Sequence, residues 1–380
     1  MGVDRNQCRI DLVTEKLQFE QLKKDWDRLV AGGDYDITVS WEWLFSWWEI
    51  YHKDRALFIV TFTINHKMVA IFPFQRVIDN RYLLNRKIIR FLGTGENEKD
   101  ETCSEYIDLI IDSEYRGQVI SAFVDFLQNR PSDWQCVLLT DVRSTSPNLS
   151  CVAQQKISGI TTHIEKSVHN APYIDLPESW ETLLSVTRIN AREQLNRKYN
   201  LLKQQGDIEF KKYQGIEIVD SVYDSFVELH QKRWESTDKP GCFSSELFTA
   251  FHKQLIARLA DGNQTIIFFL CVNDKAIAAR YCFVMGDKTY DYQTGLDVDF
   301  ETKSSPGTVL LAHVIRDRIN HKNHQYDFFK GKKDAYKYKW TDKDQALVTL
   351  MLCRKSISNI MFNILDFKKI LSRMVRVFFR

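Results

Sequence analysis

The sequence predicts an α/β (α+β) fold of two similar units, each built on a mixed central sheet. Three observations carry this. Helical and strand periods follow in the same order in both halves: helices, a hairpin, then a helix leading into a strand. Asn65-His66-Lys67 and Asn273-Asp274-Lys275 stand at matching places, each joining two apolar runs. Pro306-Gly307 breaks one segment and opens a helical period, which a short strand follows.

In chain order, Phe19, Leu22, Trp26, Leu29 and Val30 mark an amphipathic helix over 18–30. Ser40 is a cap for a second helix, 40–52, with Trp41, Trp43, Leu44, Trp47, Trp48 and Tyr51 as its apolar set. Runs 57–64 and 68–75 read as a hairpin, and 88–92 with 106–111 as a further strand pair. A helix over 114–128 and a strand over 136–140 close the first unit, and 143–170 reads as a linker with a weak strand. The second unit repeats the order. Its helices are 178–205, 217–235, 244–260 and 307–320, and its strands 208–213, 264–272, 275–286, 287–295 and 325–330. The expected boundaries are 1–170, 171–353 and a C-terminal segment 354–380. In that last segment Ile357, Ile360, Met361, Ile364, Phe367 and Leu371 form one apolar stripe beside Lys368, Lys369, Arg373 and Arg376. Such a helix suits an anionic membrane surface, or docks on its own protein or a second subunit.

Composition excludes some classes. The chain has 380 residues, 52 Lys+Arg against 50 Asp+Glu, and a formal charge of +2, which argues against a dedicated nucleic-acid binder. Eight cysteines contain no Cys-x-x-Cys pair and no zinc spacing, so no metal site is expected. Cys136, Cys271 and Cys282 sit in apolar runs, where a thiol acts as a small hydrophobe. No run of about 18 apolar residues is present to span a bilayer. A reduced, cytoplasmic location is the expectation, with peripheral contact at the inner membrane face through the last helix.

The chemistry concentrates late in the chain. Ser304-Ser305-Pro306-Gly307-Thr308 opens a helix, and a helix N-terminus favours anions. Tyr326-Asp327-Phe328-Phe329-Lys330-Gly331 and Tyr336-Lys337-Tyr338-Lys339-Trp340 follow. With Arg188, Arg192, Leu195, Arg197, Gly206, the run from Leu229 to Trp234, Phe243 and Ile277-Ala278-Ala279-Arg280, this pattern resembles the acetyltransferase family of CelD-type cellulose-biosynthesis proteins. That family belongs to the GCN5-related (GNAT) superfamily and is related to Fem-type peptidyl transferases. The resemblance covers roughly 175–345 well and the first half more loosely. It departs from ordinary GNAT enzymes at the Gln/Arg-x-x-Gly-x-Gly/Ala loop, where Ser-Ser-Pro-Gly-Thr stands.

The resemblance implies tandem GNAT-like units and acyl transfer, with acetyl-CoA or another acyl-CoA as co-substrate and no permanently bound cofactor. For the donor it points to Ser305, Gly307, Thr308 and Lys337. Arg280 interrupts an apolar strand, so it either faces solvent or enters the cleft to meet an anion. Strand alternation puts Tyr290 and Tyr292 on one face and Asp291 and Gln293 on the other. Asp291 is then a candidate base and Tyr292 a donor to the leaving thiolate, or both lie on a solvent-facing edge. Asp327 is a candidate base, or it fixes the next loop by accepting its N–H groups. His230, Arg233 and Trp234 sit on a helix that borders the acceptor groove in this family, and Trp340 matches the family motif.

The resemblance further implies an amine or hydroxyl acceptor, with a saccharide or lipid-linked precursor of the cell envelope among the expected classes. Two other functions compete. One is Fem-type transfer from aminoacyl-tRNA to a peptidoglycan precursor, although helices 217–235 and 244–260 are separated by a Gly/Pro turn and neither has the length of the helical arm that some, not all, members carry. The other is a non-catalytic partner in polysaccharide assembly.

Overall fold

A computed structural model describes residues 8–80, 85–187, 191–300, 303–332 and 336–355. Its helices are α1 (Lys16–Gln21), α2 (Lys23–Ala31), α3 (Trp41–Tyr51), α4 (Arg116–Asn129), α5 (Pro147–Ala153), α6 (Trp180–Val186), α7 (Ala191–Lys203), α8 (Asp220–Glu235), α9 (Glu246–Leu259) and α10 (Pro306–Asn320). Strands of the first half are β1 (Arg9–Val13), β2 (Arg55–Leu57), β3 (Ile59–Ile64), β4 (Lys67–Phe72), β5 (Phe74–Asp79), β6 (Arg86–Phe91), β7 (Ile110–Ile111), β8 (Cys136–Arg143) and β9 (Ile160–Lys166). Then come β10 (Ala171–Asp175), β11 (Ile208–Gln214), β12 (Thr265–Val272), β13 (Lys275–Met285), β14 (Lys288–Leu296), β15 (Gln325–Asp327), β16 (Asp344–Gln345) and β17 (Leu347–Arg354).

The chain divides into two compact units, and both are discontinuous. The first comprises Met1–Thr94, Ser104–Ser167 and Leu347–Arg380, and the second Gly95–Cys103 and Val168–Ala346. The single cut near 170 expected from sequence therefore differs from the observed division at two places. The C-terminal stripe from Ser356 onward lies outside the described residues, as does Arg188.

The first unit holds a four-stranded antiparallel sheet, β1-β3-β4-β7, and a six-stranded sheet, β2-β5-β6-β8-β17-β9. The β3–β4 hairpin turns through Asn65 and His66, both at positive φ (51° and 63°), the conformation that matches strand twist in a two-residue turn. Asn273 and Asp274 repeat it at 50° and 63° between β12 and β13. Ser40 caps α3 by accepting the Trp43 N–H at 3.2 Å. One expected pairing is corrected. β6 pairs with β5 and β8, whereas β7 pairs with β4 in the other sheet, so the two are not paired with each other. The expected linker contains α5 and a full strand, β9. Cys136 is not a lone apolar thiol: opposite Cys353 in the β8–β17 register, it forms a disulfide with it.

The second unit is a seven-stranded mixed sheet, β11-β12-β13-β14-β15-β10-β16. Among the described residues, each unit has one parallel pair with a helix in the connection: β6–β8 across α4, and β14–β15 across α10. The two-unit α/β fold with mixed sheets is the class expected from sequence. In the second unit, α7 and α10 cover one sheet face. Ile266, Phe268 and Leu270 of β12 meet Leu310, Val314 and Ile315 of α10 there, all almost fully buried.

Candidate active site in the second unit

The site begins where two strands part. β14 and β15 pair over only three positions, Lys288↔Gln325 to Tyr290↔Asp327. β15 ends because Asp327 Oδ1 accepts the Phe329 N–H at 2.6 Å and Phe329 turns to a φ of 54°. β14 runs on to Leu296 and leaves a cleft along its far half. The second wall is the start of α10, and α8 closes the top. α8 packs tightly because Gly295 carries no side chain: a Cβ there would lie 2.7 Å from that of Leu229.

The resulting pocket measures about 270 Å³. Arg233, Arg280, Thr294, Asp297, Ser305, Gly307, Thr308 and Tyr336 supply its polar groups, and Leu296, Val298, Phe300 and Pro306 its apolar wall. Arg233 Nη1 donates to the Thr294 carbonyl at 3.2 Å. That carbonyl lies on the open edge of β14, so the Thr294 N–H points the same way and is available to a ligand.

Arg280 does not face solvent. It is 2% exposed and forms an ion pair with Asp291, itself 3% exposed. Its remaining reach is toward the Tyr336 hydroxyl and the Gly307 carbonyl, each at 3.5 Å, and its Nε is buried with no partner among the described residues. Burial works against the guanidinium charge, but Asp291 and the neighbouring tyrosines hold its pKa well above the ordinary value. Burial, and then Arg280, lower the pKa of Arg233. Two guanidiniums thus face one pocket while Asp291 balances one of them. The other carboxylate, Asp297, is bound by Lys232 and by Lys275 at 2.7 Å, and these ion pairs hold its pKa down against burial.

At the α10 start, Ser305 is the N-cap in the left-handed region (φ 49°) with no side-chain cap. Pro306 has no N–H, and the Thr308 N–H is bonded to the Ser305 carbonyl at 2.9 Å. Of the four residues 305–308, Ser305 and Gly307 are left to offer an N–H to a ligand.

The pocket thus gathers Arg233, Arg280, Ser305, Gly307 and Thr308 from the sequence candidates, with Asp291 behind Arg280. Others lie elsewhere. Lys337 Nζ donates to the Phe328 carbonyl and, at 3.1 Å, to that of Lys330, so it staples the loop after β15. Asp327 fixes the same loop. Trp340 is 9% exposed and packs in the core, 6.5 Å from the Trp180 ring. His230 is fully buried. Its Nε2 receives the Trp234 indole N–H at 3.0 Å, which leaves the proton on Nδ1, 3.1 Å from Gln231 Oε1. Burial lowers its pKa to about 4, so it stays neutral near pH 7.

Tyr292 donates to the Thr102 carbonyl at 2.7 Å and meets His252 Nε2 at 3.1 Å, on the face covered by α8 and α9. The alternation expected across 290–293 fails there. A bulge between Tyr281 and Cys282 of β13 leaves Tyr292 as the extra residue, and Gln293 reaches His230 at 3.2 Å on the same face. Sequence reasoning passed over Thr294, Asp297 and Tyr336 as pocket residues. Tyr336 lay inside a segment already singled out, but nothing local marks Thr294, whose exposure depends on where β15 stops.

Residues 190–339 match the acetyltransferase (GNAT) domain family. No curated protein matches the sequence. Among solved structures, FemX is similar over 94% of this chain and 99% of its own, with a TM-score of 0.61 at 9% identity. L-PGS from Bacillus licheniformis is similar over 89% and 94%, with a TM-score of 0.54 at 11% identity. The C-terminal domain of an assigned lysylphosphatidylglycerol synthetase from Agrobacterium fabrum is similar over 93% and 96%, with a TM-score of 0.53 at 11% identity. At these identities the likeness is one of fold. Residues 190–339 are thus similar to the GNAT acetyltransferase domain, within an α/β fold that resembles these structures over most of their length.

Proposed function

We propose that the second unit transfers an acyl group from a coenzyme A thioester to an amine or hydroxyl acceptor, as a CelD-type GNAT enzyme of envelope or polysaccharide assembly. The observation that carries this reading is the opening between β14 and β15, where a free strand edge, two guanidiniums and a helix N-terminus meet in one pocket. The thioester carbonyl accepts the Thr294 N–H, which stabilises the oxyanion that forms on attack. Arg280, fixed by Asp291, and Arg233 hold the donor's anionic part, and the apolar wall takes its thin arm. The Tyr336 hydroxyl protonates the departing thiolate. Asp291 and Asp297 are both held by cations, so the acceptor nucleophile arrives already neutral or gives its proton to water.

A second reading is transfer from an aminoacyl-tRNA. Two features favour it: the two-N–H start of α10 is a narrow grip for a pyrophosphate, and FemX and the lysylphosphatidylglycerol synthetase share the fold. No helix among the described residues is long and apolar enough to cross a membrane, and the proposed surface contact rests on the stripe from Ser356.

The test is release of free coenzyme A thiol when the protein meets acetyl-CoA and a panel of amines, amino sugars and lipid-linked saccharides. Acceptor-dependent release that Tyr336→Phe slows by about 10²–10⁴-fold is expected. Turnover only with charged tRNA would favour the second reading, and turnover with neither donor would favour a non-catalytic partner.

A further inference from the structure

The first unit contains a cavity of its own, about 310 Å³, within the size range of small-ligand sites. Its charged groups are Asp34, Asp36, Asp108, Arg116 and Arg143. Three of these answer each other: Arg143 pairs with Asp36 at 2.6 Å, lies 3.9 Å from Asp34 and stacks on the Tyr106 ring at 4.7 Å. The Tyr35 hydroxyl is also occupied. It accepts the Ile111 N–H at 2.8 Å and donates toward the Leu109 carbonyl at 3.2 Å.

Asp108 and Arg116 remain. Asp108 accepts the Leu109 N–H at 2.7 Å and the Ser146 hydroxyl at 2.6 Å, but has no ion-pair partner among the described residues. Burial pushes its carboxyl up to about 6, with Arg116 as only a minor opposing charge. Arg116 spends its Nε on Asn148 Oδ1 at 2.8 Å, and neither of its terminal nitrogens has a partner among the described residues. Asn148 in turn donates to the Leu109 carbonyl at 2.8 Å, so one amide sets the spacing of the two charges. The floor is strained as well. Tyr106 sits at a φ of 70°, where a bulky side chain is costly, and its N–H bonds the carbonyl of Asp141, itself at 52°.

One carboxylate and one guanidinium fork, held apart in a single cavity, complement a ligand that carries both charges. An amine alone would leave Arg116 unanswered, and a plain anion would face Asp108. We infer that this cavity binds a small zwitterion of the α-amino acid class, its carboxylate on the Arg116 fork and its ammonium on Asp108. This site is independent of the acyl-transfer reading.

The experiment is titration calorimetry of the full chain with glycine, L-alanine, L-serine, L-lysine and L-glutamate, and with ethylamine and propionate as single-charge controls. At least one amino acid binds saturably, and both controls bind at least about tenfold more weakly. Asp108→Asn and Arg116→Gln each weaken that amino acid by about tenfold or more. The inference is overturned if no amino acid gives saturable heat, if either control binds as well as the best amino acid, or if both variants bind it unchanged. Should a variant fail to fold, the comparison with ethylamine and propionate on the unaltered protein decides alone.

Discussion

The Arg280–Asp291 pair allows the account of the pocket to be tested by a mutant cycle. Both groups are almost fully enclosed, at 2% and 3% exposure. Asp291→Ala removes the counter-charge but leaves the guanidinium buried. What it keeps is poor: two contacts at 3.5 Å, to the Tyr336 hydroxyl and Gly307 carbonyl, and the Tyr336 ring 5.5 Å away. Breaking a buried pair on one side costs about 3–5 kcal/mol. With a urea dependence of about 2 kcal/mol per molar, the second unit's midpoint should fall by about 2 M. Arg280→Met with Asp291→Leu removes both charges and should recover most of that loss, because an apolar pair of similar volume is close to neutral. The double variant should still fail to bind acetyl-CoA, since the donor's anion has lost its buried partner. Urea unfolding followed by circular dichroism reads the first quantity and calorimetry the second. A double variant as unstable as Asp291→Ala would refute the packing argument, and one that binds acetyl-CoA normally would refute the assigned role of Arg280.

Three further outcomes are expected. Gly307→Val places a Cβ 3.0 Å from Leu296 Cδ2, inside the pocket, so acetyl-CoA affinity should fall while the unfolding midpoint moves little; unchanged affinity puts the donor elsewhere. His230, lowered from 6.5 to about 4 by burial, gives stability that is complete above pH 6.5 and is lost as pH falls through 4, up to about 3 kcal/mol; an acid-unfolding profile that His230→Gln leaves unaltered would contradict this. Thiol titration of the unreduced, unfolded chain should count six cysteines because Cys136 and Cys353 are joined, and a count of eight would exclude the bond.

What the sequence made legible was local. Asn65-His66 and Asn273-Asp274 could be read as matched turns because their residues tolerate positive φ, and Pro306 marked a helix start because it needs no donor there. β17 was hidden because its partners, β8 and β9, lie about two hundred residues upstream, and no period in 347–354 names them. In the site, Arg280 drew notice as a charge in an apolar strand, and the pocket does contain it. His230, Trp340 and Lys337 were chosen from motif position, yet burial, core packing and loop carbonyls account for all three. A motif position records that a residue matters without saying whether it touches ligand or frame. The bulge at Tyr292 misled the alternation because one extra residue reverses every face after it.

The central claim is that the cleft between β14 and β15 holds an acyl-CoA donor through Arg233, Arg280 and the α10 N-terminus. Titration calorimetry with acetyl-CoA tests it most directly. The account predicts one saturable site of micromolar affinity, lost in Arg280→Met and in Gly307→Val and kept in Asp108→Asn. Absence of saturable heat with acetyl-CoA in the unaltered protein, or full affinity in both pocket variants, would contradict it.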